Sequence, residues 1–462
     1  MVFNQPLARE SDGRVASAGG ADAADAGRKM TQTNHTNQTN QTNQTNHTNQ
    51  TNHTKTALQL MVMTQFFPPD FAATGQLIEE LTTQLGKQGM DVRVFTGQPG
   101  YAFVKDDAPM VEETGRVWVK RSRMSQLFAG RIRGKAINGL VFAVRSLSHL
   151  MRRSRQYDAL LVTTAPPFLP VVGYLANVLF GSRYVCLLYD LYPDIAVELN
   201  VVKQNHPVAR AWRWLNRRVW QRAAGIIVLS DSMKARIAEQ CPAVADKISV
   251  IHSWSDDEKI VPIAKEENWF AQAHGLTDRF VVLYSGNMGR CHDIDTLLET
   301  ATLLKDEPAL FVCIGGGAKR TALAEAVEAR GLENFRFLPY QEKGVLPYSL
   351  TAGDVSVVSV AAGMESLVAP SKLYPAMATG RPIGAICPAG SYLGALLSAA
   401  NCGAAFENGE AHGLAEFIRG LMQDGAKAER MGQAGRAYLV ANFTPEIVAK
   451  AYLAVIEGVC GD

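Results

Sequence analysis

A chain of 462 residues exceeds what one ordinary hydrophobic core organises and suits two domains of common size. With 47% hydrophobic residues and a formal net charge of +2 it falls outside the disordered, fibrous and strongly basic classes, so any basic surface is local and no nucleic-acid partner is implied. Its cysteines (Cys186, Cys241, Cys291, Cys313, Cys387, Cys402 and Cys460) stand at no metal or redox spacing and mostly inside apolar runs, which points to reduced core thiols of a cytoplasmic protein, with no disulfide framework and no zinc site.

Residues 1–56 read as a disordered low-complexity tail: Ala, Gly, Asp and Ser first, then Thr-Asn-Gln and Thr-Asn-His repeats from Thr31 to Thr54. Such a tract buries too little apolar surface to offset the entropy of ordering. Its Asn-x-Thr triplets matter only in a secretory compartment, and no charged-then-apolar leader pattern accompanies them. No apolar run reaches the roughly 18 to 20 residues that span a bilayer.

Order is expected from residue 58 onward, where short apolar or β-branched runs alternate with longer amphipathic segments, the mark of parallel α/β sheets. In the first half the pattern predicts strands at 58–66, 91–96, 160–164, 184–189, 226–229 and 248–252, and helices at 76–87 and 207–222. The apolar stretch 168–180, interrupted by Pro170, Gly173 and Asn177, is expected to form a buried helix. A polar, irregular stretch at 255–278 follows, and the alternation restarts with strands at 280–285, 309–314, 335–338, 355–360 and 382–385. The tail 426–461 reads as two helices broken near Thr444-Pro445. The expected organisation is a Rossmann-like domain at 57–256, a second at 257–440, and a helix at 441–462 crossing back to the first. Their strand C-terminal ends would then face each other across a ligand-binding cleft.

Four turns at predicted strand ends carry candidate chemistry. In Phe66-Phe67-Pro68-Pro69-Asp70, followed by Ala72-Ala73-Thr74-Gly75, the helix-start glycine either admits a substrate to a helix N-terminus or serves a Pro-rich turn. In Tyr284-Ser285-Gly286-Asn287-Met288-Gly289-Arg290 two glycines expose backbone N–H groups, and Arg290 adds a charge-assisted phosphate donor. Gly315-Gly316-Gly317 either lines a nucleotide base or permits a tight turn, and the turn is the simpler reading. In Pro370-Ser371-Lys372, before a helix at 373–379, Ser371 is the expected N-cap and Lys372 falls in the first turn. A cation there opposes the helix dipole unless an anion binds nearby.

Basic residues concentrate between 116 and 155: Lys120, Arg121, Arg123, Arg131, Arg133, Lys135, Arg145, Arg152, Arg153 and Arg155. Ile137, Leu140, Val141, Val144, Leu147 and Leu150 lie between them at helical spacing, as in a basic amphipathic helix on an anionic membrane surface. The segment 210–222, with Trp212, Trp214 and Trp220, is a second candidate for that contact. Both also suit helices packed on a sheet with solvated arginines.

Thr64-Gln65-Phe66-Phe67-Pro68-Pro69, Asp190-Leu191-Tyr192-Pro193-Asp194 and the stretches 284–290 and 370–382 together resemble the family-4 retaining glycosyltransferases of bacteria, and within them the branch of colanic-acid and fucosamine transferases. The resemblance runs from residue 58 to the end. It implies the two-domain GT-B fold, a UDP- or GDP-linked sugar donor, and a lipid-linked or polysaccharide acceptor at the inner face of the plasma membrane. It further implies no cofactor and no divalent metal. By the same resemblance the Gly75 loop faces acceptor and donor sugar, while Gly286, Asn287, Gly289, Arg290 and Lys372 surround the diphosphate with help from Ser371. Gly316 would line the nucleotide, Glu365 and Ser366 would approach the sugar, and Asp190 would be a polar active-site residue. Cationic side chains would stabilise the leaving diphosphate, and same-face attack would retain configuration.

The chain departs from the family pattern at three places. Pro375 and Leu367 stand where the family has paired glutamates, Tyr189 stands where many members have a histidine, and His292-Asp293 replaces the usual lysine after the second glycine turn. Two rival readings therefore stay open: a GT-B-type nucleotide-sugar 2-epimerase, and an inactive sugar-nucleotide-binding subunit of a polysaccharide assembly complex. A dehydrogenase is disfavoured because no Gly-x-Gly-x-x-Gly turn follows the first strand.

Overall fold

The computed structural model describes residues 57–70, 72–99, 108–122 and 132–461. The tail expected at 1–56, Arg123 and Arg131, and the side chains of Arg133 and Lys135 lie outside that description.

Two sheets organise the chain. The first holds β1 (Gln59–Met63), β2 (Asp91–Thr96), β3 (Val111–Thr114), β4 (Val117–Arg121), β5 (Ala159–Thr163), β6 (Tyr184–Leu188), β7 (Gly225–Val228) and β8 (Ile248–Val250). Their order is β3-β4-β2-β1-β5-β6-β7-β8, parallel except for the β3–β4 pair. The second holds β9 (Phe280–Ser285), β10 (Ala309–Ile314), β11 (Phe335–Leu338), β12 (Val355–Ser359), β13 (Ile383–Ile386) and β14 (Gly403–Phe406), ordered β11-β10-β9-β12-β13-β14 and all parallel. β5, β6, β7, β10, β12 and β13 are buried along their whole length, as parallel strands covered on both faces must be. Strand order reverses beside β1 in the first sheet and beside β9 in the second. The turns that leave those two strands are therefore where ligands are expected.

The sequence pattern and the structure differ in instructive places. β3, β4 and β14 were not expected. β3 is largely exposed and β14 is a short Gly-Ala-Ala-Phe edge strand, so neither carries a strong periodic signal. β4 corrects the reading of 116–155 as one basic amphipathic helix: the strand ends at Arg121, and a helix runs only from Ile132 to Arg153. Arg121 is turned inward, 1% exposed, because Val117, Val119 and Arg121 share the buried face of the pleat. It donates to the Pro68 carbonyl at 2.5 Å and to Glu112 at 3.1 Å.

The helix Pro170–Phe180 is buried only along Pro170, Val172, Gly173 and Ala176; Val178, Leu179 and Phe180 are exposed. The tail forms the helices Gly425–Asn442 and Pro445–Gly461. Taken as a whole, Gly425–Gly461 is long and apolar enough, by length and composition, to cross a membrane, which differs from the expectation that no apolar run reaches that length. In this fold Leu439, Val448, Ala449, Tyr452 and Ile456 lie in the core. Arg183 donates to the Val459 and Cys460 carbonyls at 3.0 and 2.8 Å, which fastens the last helix to the first sheet.

Candidate active site

The turn after β9 is built by interlocking with the turn after β10. Gly286 N–H donates to Ile314 O at 2.8 Å, Met288 N–H to Gly316 O at 2.7 Å, and Lys319 N–H to Met288 O at 3.0 Å. A Cβ on Gly315, whose φ is +128°, would stand 2.3 Å from Gly286 O, so the triple glycine serves the tight crossing of the two turns. Gly289 N–H donates to His292 Nδ1 at 3.1 Å. These bonds correct the expectation that the glycines present their amides to a phosphate: the N–H groups of Gly286 and Gly289 are already engaged within the fold. Gly316 is likewise engaged through its carbonyl.

Lys372 answers the conflict noted at its helix. The helix begins at Leu373 with Lys372 at the cap position, and Ser371 makes no capping bond, which corrects the N-cap expectation. The lysine side chain turns away from the helix and lies over Gly286, where a Cβ would be 2.9 Å from Lys372 Cε. Its Nζ donates to Tyr284 Oη at 2.7 Å and to Asn287 O at 2.6 Å, and stands 4.3 Å from the centroid of the Tyr284 ring. All of these partners are neutral, so desolvation lowers the ammonium pKa to about 7. A cation held this way gains from an incoming anion. Arg290 follows in the same turn, half-buried.

Gly286, Ser371 and Lys372 line a cavity of about 760 Å³ whose wall also includes Gln76, Leu77, Glu80 and Trp254 from the first half, Lys259 from the irregular stretch that follows, and Lys343. This volume suits a nucleotide-sized ligand. Gly75, Asn287, Gly289, Arg290, Gly316, Glu365, Ser366 and Asp190 are not among its lining residues. Gly75 is buried, and a Cβ there would lie 3.1 Å from Phe66 C and Phe67 N. The backbone of its own turn therefore crowds that position, which accords with the alternative of a glycine serving the Pro-rich turn.

A second cluster sits where the halves meet. Asp190, at the end of β6, pairs with Val368 in an antiparallel bridge, and Leu191 N–H donates to Leu367 O at 3.0 Å. The loop 363–366 is seated on the first half: Ser232 Oγ donates to Glu365 O at 2.8 Å, and Gly363 abuts Glu198. Glu365 Oε2 is buried without a hydrogen-bond partner. Burial raises the Asp190 pKa to about 6, and the same carboxylate helps raise the Cys291 thiol to about 11 behind the effect of burial. Asp190 is thus held at the junction by Val368 and near enough to Cys291, the residue after the second half's glycine turn, to act on its thiol.

Sequence reasoning missed two groups. Lys319, just past the triple glycine, donates to His292 O at 2.9 Å and stands 3.5 Å from Asp295. Burial, with Lys372 and Lys319 nearby, holds His292 well below its ordinary pKa, so it is neutral beside the turn. The helix Ala73–Lys87 supplies cavity wall from the first half, and no local signal marks Gln76 or Glu80 for that place. Among the described residues no group of three or more His, Cys, Asp or Glu is placed to share a metal ion, and all seven cysteines are free.

The residues expected at a membrane divide. Arg152, Arg153 and Arg155 are exposed, whereas Arg145 is half-buried with Nη1 3.4 Å from Ser122 Oγ. Ile137, Leu140 and Val144 are exposed, while Leu150 is buried and Val141 and Leu147 are half-buried. In the helix Pro207–Arg222, Trp214 is exposed, Trp220 is buried and Trp212 stacks on Tyr192, so one tryptophan rather than three faces outward. The helix Pro170–Phe180 packs against both of these helices.

Comparison with known proteins bears on this geometry. Residues 73–254 match the Glycosyl transferase 4-like domain and residues 265–438 match Glycosyl transferases group 1. The chain is 27% identical over 317 residues to WbjE of Pseudomonas aeruginosa, named as a glycosyltransferase, covering 67% of this chain and 76% of that one. It is 25% identical over 338 residues to WcaI of Escherichia coli (strain K12), named for a glycosyl transferase of colanic acid biosynthesis, covering 70% of this chain and 82% of that one. Its fold is similar to that of Anabaena HepE in complex with UDP and glucose, with a TM-score of 0.65 at 15% identity over 87% of this chain and 99% of that one. Two facing parallel-sheet halves and two consecutive family matches lead to one conclusion: the chain is an enzyme of the family-4 glycosyltransferases, with their GT-B fold.

Proposed function

We propose that this glycosyltransferase moves a sugar, with retention of configuration, from a UDP- or GDP-linked donor to a lipid-linked or polysaccharide acceptor at the cytoplasmic face of the plasma membrane, in cell-surface polysaccharide synthesis. The observation that carries the donor side is Lys372, a half-buried lysine whose ammonium is bonded to neutral partners at the wall of the 760 Å³ cavity. A nucleotide diphosphate entering beside it supplies the missing counter-charge. Lys372 and Arg290 then stabilise the negative charge that develops on the leaving diphosphate, with Ser371 as an added donor. Asp190, ionised above about pH 6, accepts a hydrogen bond from an incoming hydroxyl, while the leaving phosphate on the same face takes the proton. The ligands of HepE and the name of WcaI accord with this reading.

The acceptor side rests on the surface of the first half. Exposed Leu140, Val144, Val178, Leu179, Phe180 and Trp214 lie on three helices packed side by side, with Arg152, Arg153 and Arg155 at the end of the first. Apolar side chains rimmed by arginine suit the headgroup layer of an anionic bilayer.

Thermal unfolding of the full chain with UDP, GDP and a panel of their sugars tests the donor assignment. Stabilisation by one nucleotide class is expected, since a ligand that binds only the folded state raises its stability. No shift with any nucleotide at millimolar concentration would overturn the reading.

A further inference from the structure

Glu80, in the wall of the same cavity, takes no part in the chemistry described so far. It belongs to the helix Ala73–Lys87 of the first half and lines the cavity together with the second half's Lys372. Trp254 Nε1 anchors its Oε2 at 3.0 Å. Its Oε1 lies 4.0 Å from Lys343 Nζ, beyond hydrogen-bond reach. Lys343 is itself bonded to the neighbouring Glu79 at 3.0 Å. Lys259 and Asp256 complete the charged groups around it, and the former is paired to the latter. Burial is the largest influence on this carboxyl and raises its pKa, which means that water solvates it poorly.

A half-buried carboxylate in a cavity wall, with one oxygen anchored by Trp254 and the other without a protein donor in hydrogen-bond reach, is placed to accept donors from the cavity's occupant. The phosphate end of a nucleotide offers none and belongs beside Lys372. The nucleoside end offers adjacent donors: the two hydroxyls of ribose, or the N1–H and 2-amino group of guanine. We propose that Glu80 reads the nucleoside of the donor, accepting paired hydrogen bonds from it while Lys372 holds the diphosphate. The first half of the chain then selects the donor as well as the acceptor, and the donor is gripped from both sides of the cleft. The inference rests on the nucleotide-sugar reading.

Calorimetric titration of the full chain with UDP, GDP, their 2′,3′-dideoxy analogues and inosine diphosphate tests it. Glu80→Gln keeps an oxygen for Trp254 and turns an N–H group toward the ligand. It is expected to weaken the preferred ribonucleotide on the order of tenfold or more. The analogue lacking the donors that are read (dideoxy for ribose, inosine for the guanine 2-amino group) should bind wild type and variant within about twofold of each other. Glu80→Asp, which keeps the charge but withdraws it by one carbon, should lose an intermediate amount and carries the test if the glutamine variant unfolds. Unchanged affinity in both variants, or an equal loss for every analogue, would overturn the assignment while leaving the donor site intact. Failure of the wild-type chain to bind any nucleotide would instead remove the nucleotide-sugar reading, and Glu80 with it.

Discussion

The turns after β1 and after β9 look alike in sequence and do opposite things. Each leaves the strand beside which its sheet reverses order, and each carries a glycine near a polar residue. At Gly75 the space a Cβ would need is filled by the backbone of Phe66 and Phe67, so the glycine closes the turn on itself. At Gly286, with φ +116°, the space is filled by the end of Lys372, a side chain from the segment that follows the neighbouring strand β12. One glycine is a packing requirement; the other is a seat for a cation. A glycine after a strand says only that something comes close, and the tertiary structure says what.

Lys372→Ala is the severest test of that contrast. Loss of a sheltered cation should reduce transfer on the order of 10² to 10³-fold, and a change below about threefold would make Lys372 a bystander. A sharper form uses pH. Burial lowers the lysine's pKa from 10.5 to about 7, so unliganded Lys372 loses its charge as pH rises through about 7. Diphosphate affinity should therefore fall above that pH, by up to about tenfold per unit, and become flat in Lys372→Met.

Asp190→Asn asks whether the first half contributes chemistry. Its pKa is raised to about 6, so the carboxylate is protonated as pH falls below that value. The wild-type rate should rise through pH 6; the asparagine variant should lose roughly 10²-fold and that acid limb with it. A variant that keeps the acid limb would assign it to another group.

Replacing Arg152, Arg153 and Arg155 together by alanine should weaken binding to phosphatidylserine vesicles about tenfold at physiological salt, with transfer to a water-soluble acceptor unchanged. Unchanged vesicle binding at low salt would remove the membrane face. The smallest effect on rate belongs to Gly75→Ala. It should cost about 1 kcal/mol of stability by overpacking and leave activity per folded molecule within about twofold. Gly286→Ala, by contrast, should displace Lys372 and weaken nucleotide binding, with a stability cost of about 1 to 3 kcal/mol because its φ of +116° strains any Cβ. Equal behaviour of the two variants would break the comparison.

Much of the fold was legible because parallel strands buried on both faces are written as unbroken apolar runs. β10 coincides in this way with the predicted 309–314, while the partly buried β2, β9 and β11 coincide with the predicted 91–96, 280–285 and 335–338 through their β-branched and aromatic residues. Exposed β3 and small-residue β14 lacked that signal. The basic segment 116–155 misled because arginines count equally in a sequence whether buried like Arg121 or exposed like Arg152. Of the site, Lys372 was legible from a local conflict, a cation at a helix start. Glu80, Lys319 and the pairing of Asp190 with Val368 had no such mark, because their neighbours are distant in sequence.

By itself the sequence determined the α/β alternation, the two-sheet organisation and the family, since these follow from periodicity and short motifs that act locally. The tertiary structure alone decided which glycine amides are engaged, which arginines are buried, and how one cavity comes to be lined by Glu80 from the first half and Lys372 from the second. The physical reason is that hydrogen-bond partnership and desolvation depend on neighbours brought together by the fold, and residue order does not record them.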